Sequence, residues 1–276
     1  MALSNSEVPE PKEPNMIIQV VSAHPEPGSL TNALRDVAVE QLRADGHIVH
    51  ITDLYAMDWK SAVDREDFPT LPQTKHLRVP AASGEASASG TLTKDVKLEQ
   101  KRLREADALI LAFPLWWFSM PAILKGWIDR VYSYGFAYGV GEHSDTRWGD
   151  RYGEGLLAGK RAMLLVTAGG WASHYGPRGI NGPIDDLLFP IQHGVLFYPG
   201  YDVLPPFVVY RADRMDEADF EVTSAGIRER MRNLFDEAPI PFRRQNAGDY
   251  AIPSMELRIE AAPAHLMGFA AHRASD

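Results

Sequence analysis

Residues 108–131 constrain this chain more than any other stretch. Residues 108–113, Ala-Leu-Ile-Leu-Ala-Phe, are an unbroken apolar run and predict a strand buried on both faces. Pro114 ends it. From Pro121 onward Ile123, Leu124, Trp127, Ile128 and Val131 fall on one face of a helix. Between the two lie Leu115, Trp116, Trp117, Phe118 and Ser119. In an open α/β sheet the loop after a strand's carboxyl end is where ligands bind. Tryptophans and a phenylalanine in that position suit a flat aromatic ligand.

The same alternation recurs along the chain. Residues 16–23 predict a first buried strand, followed by the loop His24-Pro25-Glu26-Pro27-Gly28-Ser29. A helix with Leu34, Val37, Ala38 and Leu42 on one face comes next and stops at Gly46. Residues 47–52 predict a second strand, giving a right-handed parallel βαβ unit. A charged helix over 93–106 precedes the 108–113 strand, and a fourth strand over 161–167 ends in Thr167-Ala168-Gly169-Gly170. Residues 183–193 read as a helix. Residues 201–210 supply the last strand, interrupted by Pro205-Pro206. Residues 216–237 read as a helix with Phe220, Ile227, Met231 and Leu234 aligned. The pattern predicts an α/β fold, a doubly wound parallel five-stranded sheet with helices on both faces, over residues 16–242. Residues 1–15, with Pro9, Pro11 and Pro14, are expected to be a disordered leader. Residues 53–92 are expected to form a flap or mobile loop, with 80–92, almost all Ala, Ser and Gly, a flexible insert. Residues 243–276 show no clear period and are expected to be a C-terminal tail.

Composition narrows the function. The chain has 276 residues and no cysteine, which excludes disulfides, thiol nucleophiles and cysteine-ligated metals. A formal net charge of -9 without a basic cluster argues against a nucleic-acid partner. No apolar run reaches the roughly 20 residues that span a bilayer, and the first residues lack the apolar core of a signal peptide. A soluble, cytoplasmic protein without membrane insertion is expected. No His-x-x-x-His pair or carboxylate set suggests a metal, and neither Gly-x-Gly-x-x-Gly after a strand nor Gly-x-Ser-x-Gly occurs.

Three loops should meet at one sheet edge. In the first, Gly28, Ser29 and Thr31 precede a helix N-terminus, where N–H groups and hydroxyls suit a phosphate; Ser and Thr there also serve as plain N-caps. In the second, the amides of Trp117 and Phe118 could reach the polar edge of a ring whose walls the side chains form, or the aromatics could be core or interface packing. In the third, Gly169 and Gly170 allow close backbone approach to a ligand.

The string from Phe113 to Trp127, His24-Pro25, Thr-x-Gly-Gly at 167–170 and Phe136-Ala137-Tyr138 together closely resemble the flavin-dependent NAD(P)H:quinone oxidoreductases of DT-diaphorase type, which have a flavodoxin-like fold. The resemblance runs over 16–242 and is strongest over 113–138 and 167–199. It implies bound FAD (FMN the less favoured flavin), NAD(P)H as co-substrate, a quinone-like acceptor reduced by two electrons in a ping-pong cycle, and a homodimer. By the same resemblance His24, Ser29, Leu30 and Thr31 contact the pyrophosphate. Pro114, Leu115, Trp116, Trp117 and Phe118, with Thr167, Ala168, Gly169 and Gly170, hold the isoalloxazine. Tyr175 lies at its N1–O2 edge, where a phenol donor stabilises the charge that develops as hydride arrives. Trp117, Phe118, Tyr138 and His174 line the substrate pocket, with Tyr138 serving the partner subunit. The second catalytic position is Asn181 where the family has histidine, and an amide cannot take up a proton near neutral pH. Trp116 replaces a glutamine and Val140 a tyrosine. Phe220 falls near the family's adenine-side arginine, with Arg211 and Arg214 close by. His174 is expected to point away from Tyr175 along an extended segment, and His193 to be structural. The helix face over 121–131 is expected to need a dimer partner. Competing functions are a cytoplasmic flavodoxin-like regulatory subunit of a membrane transport protein, an azo- or nitro-compound reductase, and an electron carrier.

Overall fold

A computed structural model describes residues 15–263 and 265–274, so the leader lies outside the described residues apart from Asn15. Strands β1 (Ile17–Ser22), β2 (Ile48–Asp53), β3 (Ala108–Pro114) and β4 (Arg161–Thr167) form a parallel sheet in the order β2-β1-β3-β4. The fifth position is shared by β5 (Asp202–Val203) and β6 (Phe207–Val209), both parallel to β4. The gap between them contains Pro205 and Pro206, which have no N–H to give to a ladder.

The central strand shows why both faces are covered. Ala108, Ile110 and Ala112 pack into one cluster, and Leu109, Leu111 and Phe113 into another, so alternate side chains enter opposite cores. The first core is closed by helices α1 (Leu30–Ala44) and α6 (Glu217–Arg232), through Leu34, Leu42, Ile227 and Met231. The second is closed by α3 (Lys94–Glu105), α4 (Ala122–Val131) and α5 (Ile184–Phe189), through Leu103, Leu124, Trp127 and Leu188. Each fully buried Leu or Phe contributes roughly 1.5–3 kcal/mol to this packing.

Four sequence expectations are corrected. The supposed flexible insert folds as helix α2 (Val79–Ser89), which buries Ala82, Ser83 and Ala86. Proline opens it, left-handed Gly90 (φ 68°) closes it, and alanine carries the highest helix propensity. The rest of the 53–92 excursion is also anchored, since Leu54, Trp59, Phe68 and Leu92 are buried in the core. Arg130 of α4 fastens it, bonding Asp67 at 2.8 Å and Asp95 at 2.7 Å beneath the Trp59 ring. Second, the helix expected through 193 is α-helical only to Phe189 and widens into a π-helix over Pro190–Phe197. Pro190 supplies no N–H and its ring crowds the preceding turn. Third, the apolar face of α4 is already packed inside its own chain, with Trp127 and Val131 fully buried, and does not need a partner. Fourth, the segment after 242, in which no period is legible, carries secondary structure among its described residues. A small hairpin of β7 (Tyr250–Ala251) and β8 (Glu256–Leu257) and a short helical turn at Gly268–His272 pack against the π-helical segment through Phe269 and His272.

The carboxylate of Glu99 on α3 is completely buried. It accepts from Thr52 Oγ1 of β2 at 2.9 Å, from Trp127 Nε1 of α4 at 3.0 Å and from Arg102 at 2.7 Å. Thr52 in turn accepts from Gln19 of β1 at 2.8 Å. Glu99→Ala leaves the buried indole N–H and hydroxyl without their acceptor and Arg102, itself 27% exposed, without its pair, and leaving such buried groups unsatisfied costs roughly 1–3 kcal/mol. Urea unfolding measures this; a loss under about 1 kcal/mol would mean that water or repacking satisfies all three donors.

The His193 imidazole is pushed down to about 4 by burial, reinforced by His272 and Arg273. An unfolded histidine protonates near 6.5. Between those values the unfolded chain binds the extra proton, so stability falls as pH falls through that window. His193→Phe should therefore lose less stability between pH 7 and pH 5 than the parent, read from urea midpoints; equal losses would remove His193 as a source of the slope.

Candidate functional site

The register of the sheet sets the carboxyl ends of β1, β3 and β4 side by side, with Ser22 opposite Ala112 and Pro114 opposite Thr167. The loops that follow converge there. Thr31 and Thr167 share a buried hydroxyl–hydroxyl bond of 2.7 Å, Leu115 N donates to Thr167 O at 2.8 Å, and the His24 and Trp116 rings lie 5.9 Å apart. This edge sits at the point where the strand order reverses, the usual ligand crevice of a doubly wound sheet.

The middle loop is a tight turn. Trp116 N donates to Ser119 O at 3.0 Å and Ser119 N returns to Trp116 O at 3.1 Å. The two residues between, Trp117 (φ 51°) and Phe118 (φ 61°), both adopt the left-handed conformation, as at the centre of a type I′ turn. Asn and Gly normally occupy such positions, and an L side chain there costs roughly 1–2 kcal/mol. Packing within the chain does not offset that cost, because Trp117 is 94% exposed and Phe118 49%. The Trp117 and Phe118 amides have no hydrogen-bond partner among the described residues. Positive φ, unbonded amides and open aromatic faces together make this turn a candidate ligand contact.

In the first loop Ser29 is the N-cap of α1, its hydroxyl accepting from Asn32 N at 3.2 Å, and Glu26 accepts from Gly28 N at 3.0 Å. The plain capping role thus applies to Ser29, and the Thr31 hydroxyl is engaged with Thr167. The free first-turn amides of Leu30 and Thr31 remain as donors for an anion. His24 Nδ1 accepts from Glu26 N at 3.1 Å, which keeps its ring beside Trp116.

In the third loop a Cβ placed on Gly170 would lie 2.9 Å from Tyr175 Cε2 and 3.3 Å from His174 Nδ1. The 172–175 backbone is a short 3-10 helix rather than extended. Neighbouring side chains therefore do not point apart as expected, and both rings return to Gly170. Asn181 is drawn to the same turn by its N–H, which donates to His174 O at 3.0 Å. Tyr210, 5.5 Å from Tyr175, backs that ring. Tyr138 stands apart from this edge, packed edge-on against Tyr134 at 5.4 Å and lining a cleft with Val79 and Ser83 of α2.

Trp171 is a further aromatic residue at this edge that carries no motif of its own. Arg211, left-handed at φ 56°, donates its N–H to Gly170 O at 2.9 Å and lays its guanidinium 4.3 Å from the Trp171 ring centre, with its Nε buried and without a partner. Trp171 follows the double glycine directly, the one signal that could have found it.

A strained aromatic turn at the switch point of a 2-1-3-4-5 sheet defines a protein of flavodoxin-like architecture with a ligand crevice at its carboxyl edge. Comparison with known proteins agrees. The model of the flavodoxin-like fold family matches residues 16–233, and the chain belongs to this family, among its NAD(P)H:quinone oxidoreductases. It is 56% identical over 257 residues to a ribosyldihydronicotinamide dehydrogenase-like protein of Penicillium crustosum, covering 93% of this chain and 95% of that one. It is 39% identical to the human ribosyldihydronicotinamide dehydrogenase [quinone], covering 81% and 94%. The crystal structure of a candidate quinone reductase from Klebsiella pneumoniae superposes with a TM-score of 0.92 at 58% identity, covering 94% of this chain and all (100%) of that one.

Trp117→Gly removes the left-handed strain and little buried surface. The variant, stripped of small molecules, should be more stable than the parent by about 1 kcal/mol in urea. A loss of stability would show that the indole packs against the free protein after all.

Proposed function

We propose that the protein is a flavin-dependent oxidoreductase that transfers hydride from a reduced nicotinamide to a quinone, one substrate leaving before the next enters. The observation that carries this reading is the exposed, strained Trp117–Phe118 turn at the same sheet edge as the Gly169–Gly170 loop. It offers flat walls, free amides and a backbone floor to a planar ring with a polar edge. The residues present fit a flavin, and the free N–H groups of Leu30 and Thr31 fit its phosphates. FAD is the favoured form.

When bound, the flavin supplies the two-electron acceptance and return of hydride. The chain's own residues do the rest. The amides of Trp117 and Phe118 hold the ring's polar edge. Gly169 and Gly170 leave room for close approach. Tyr175 presents its phenol as a donor to the developing negative charge. Asn181 can donate from its amide but cannot carry a proton. Trp117, Phe118, His174 and, from the second subunit of a homodimer, Tyr138 form the substrate walls. Support for the homodimer is the exposed Trp117, Trp171 and Ile180, the last 92% exposed, which a second copy would cover. A cytoplasmic location suits a chain without cysteine whose described helices are none of them long and apolar enough to cross a membrane.

Purified protein should be yellow, release FAD on heating, and oxidise NAD(P)H or a ribosyl dihydronicotinamide when a quinone is present. A colourless protein that takes up neither FAD nor FMN would overturn the proposal. Tyr175→Phe should slow the bleaching of flavin absorbance by reduced nicotinamide about tenfold to hundredfold, the value of one desolvated donor at roughly 1–3 kcal/mol. Unchanged stopped-flow rates would remove Tyr175 from the chemistry.

A further inference from the structure

A second cavity, of about 410 Å³, lies between the Arg151–Tyr152 segment, the α5–π-helical segment and the C-terminal segment. None of its lining residues belongs to the loops around Trp117. Its volume is within the range of small-molecule sites. Four rings border it as a column. Tyr152 stacks on His193 at 4.7 Å, His193 on Phe189 at 4.7 Å, and Phe189 on Phe269 at 4.3 Å, with interplanar angles of 28°, 16° and 17°. The last ring is 44% exposed, so the column ends in an open aromatic face.

The charges around the cavity are one-sided. Arg151 and Arg243 border it, and no carboxylate does. Arg243 is committed to Asp249 at 2.8 Å and to the Ala271 carbonyl at 3.1 Å. Arg151 has no carboxylate partner among the described residues. Its Nε donates to Gln245 Oε1 at 2.9 Å, which fixes the guanidinium and leaves its remaining N–H groups available. Gln245 is itself held by the Trp148 carbonyl at 2.9 Å, so the arginine is placed by a bonded chain rather than left free at the surface. The two histidines do not add charge. Burial lowers both, His193 to about 4, and Tyr250 OH pairs with His272 Nδ1 at 2.9 Å.

We propose that this cavity is a binding site for a planar aromatic carboxylate, with the ring against the aromatic column that borders it and the carboxylate on Arg151. A guanidinium fork takes a carboxylate through two parallel bonds, and an aromatic stack rewards a flat ring. The site is completed by the segment after residue 242, beyond the stretch matched by the flavodoxin-like family model, which closes over Arg151, Tyr152, Phe189 and His193.

The test is calorimetric titration of the flavin-loaded protein with 2-naphthoate. Arg151→Met should weaken binding about tenfold or more, the size of a lost charged hydrogen bond. Phe269→Ala should weaken it by about fivefold or more, through the lost aromatic wall of the cavity. Methyl 2-naphthoate, which lacks the charge, should bind the parent and the Arg151 variant alike. A saturating neutral quinone should not displace 2-naphthoate, and quinone turnover by Arg151→Met should equal that of the parent. Absence of binding, equal affinity in both variants, or displacement by the quinone would each overturn the site. Because binding is read as heat, a protein that binds 2-naphthoate but reduces no quinone would sink the proposed activity and leave this site standing.

Discussion

The structure turns on one buried charge. Glu99 sits under the sheet with no exposure, and its oxygens gather a strand hydroxyl, an arginine and the indole of Trp127. Isolated in so dry a place the carboxylate would cost several kcal/mol, and the cost is met only because every partner is in position. Through Trp127 this fixes the rotation of α4 against the sheet. Arg130, one residue past Asp129 on the same helix, fixes it again through Asp67 and Asp95. The aromatic turn leads directly into this doubly pinned helix and is tied on its other side to β3. Left-handed Trp117 and Phe118 persist only where the surroundings over-determine them, and α4 is the element able to do so.

How much was legible follows from which residues obey local rules. The two-sided burial of β3 could be read because Ala108–Pro114 is uninterrupted and its alternate residues enter two cores. The fifth strand showed its own break in Pro205 and Pro206. Helix α2 could not be read in the same way. Its Ala, Ser and Gly look like a linker, and only the proline in its first turn and Gly90 after it hint at a helix whose small side chains let it settle beside Tyr134. The packing of the described C-terminal residues was hidden because their fastening is long-range, Phe269 on Phe189 and Arg243 on Ala271, with no periodic pattern to announce it.

The site divides in the same manner. That three loops meet could be read from strand order alone, and the structure brings Thr31, Leu115 and Thr167 together. The left-handed turn could not, because Trp and Phe are among the residues least expected there; tertiary constraint overrides local preference. The placing of His174 failed for a related reason. Its direction depends on a 3-10 turn that carries no distinct sequence signal. Arg211 and Trp171 meet across separate segments, visible only once β6 returns beside β4.

The energetics of the turn explain why its residues are aromatic. Two left-handed L residues cost together about 2–4 kcal/mol. Covering an indole that is 94% exposed and a phenyl ring that is half exposed gains roughly 2–5 kcal/mol at the usual value per area. The two terms are of the same size and opposite sign. A glycine turn would relieve the strain but offer no wall; an aliphatic one would keep the strain and offer a smaller, non-planar face. Only large flat side chains let occupancy of the crevice compensate the conformation that opens it. A ligand that covers both rings gains the whole of this contact area, whereas a smaller or non-planar molecule covers less of it, so the pair of exposed rings selects for a planar occupant.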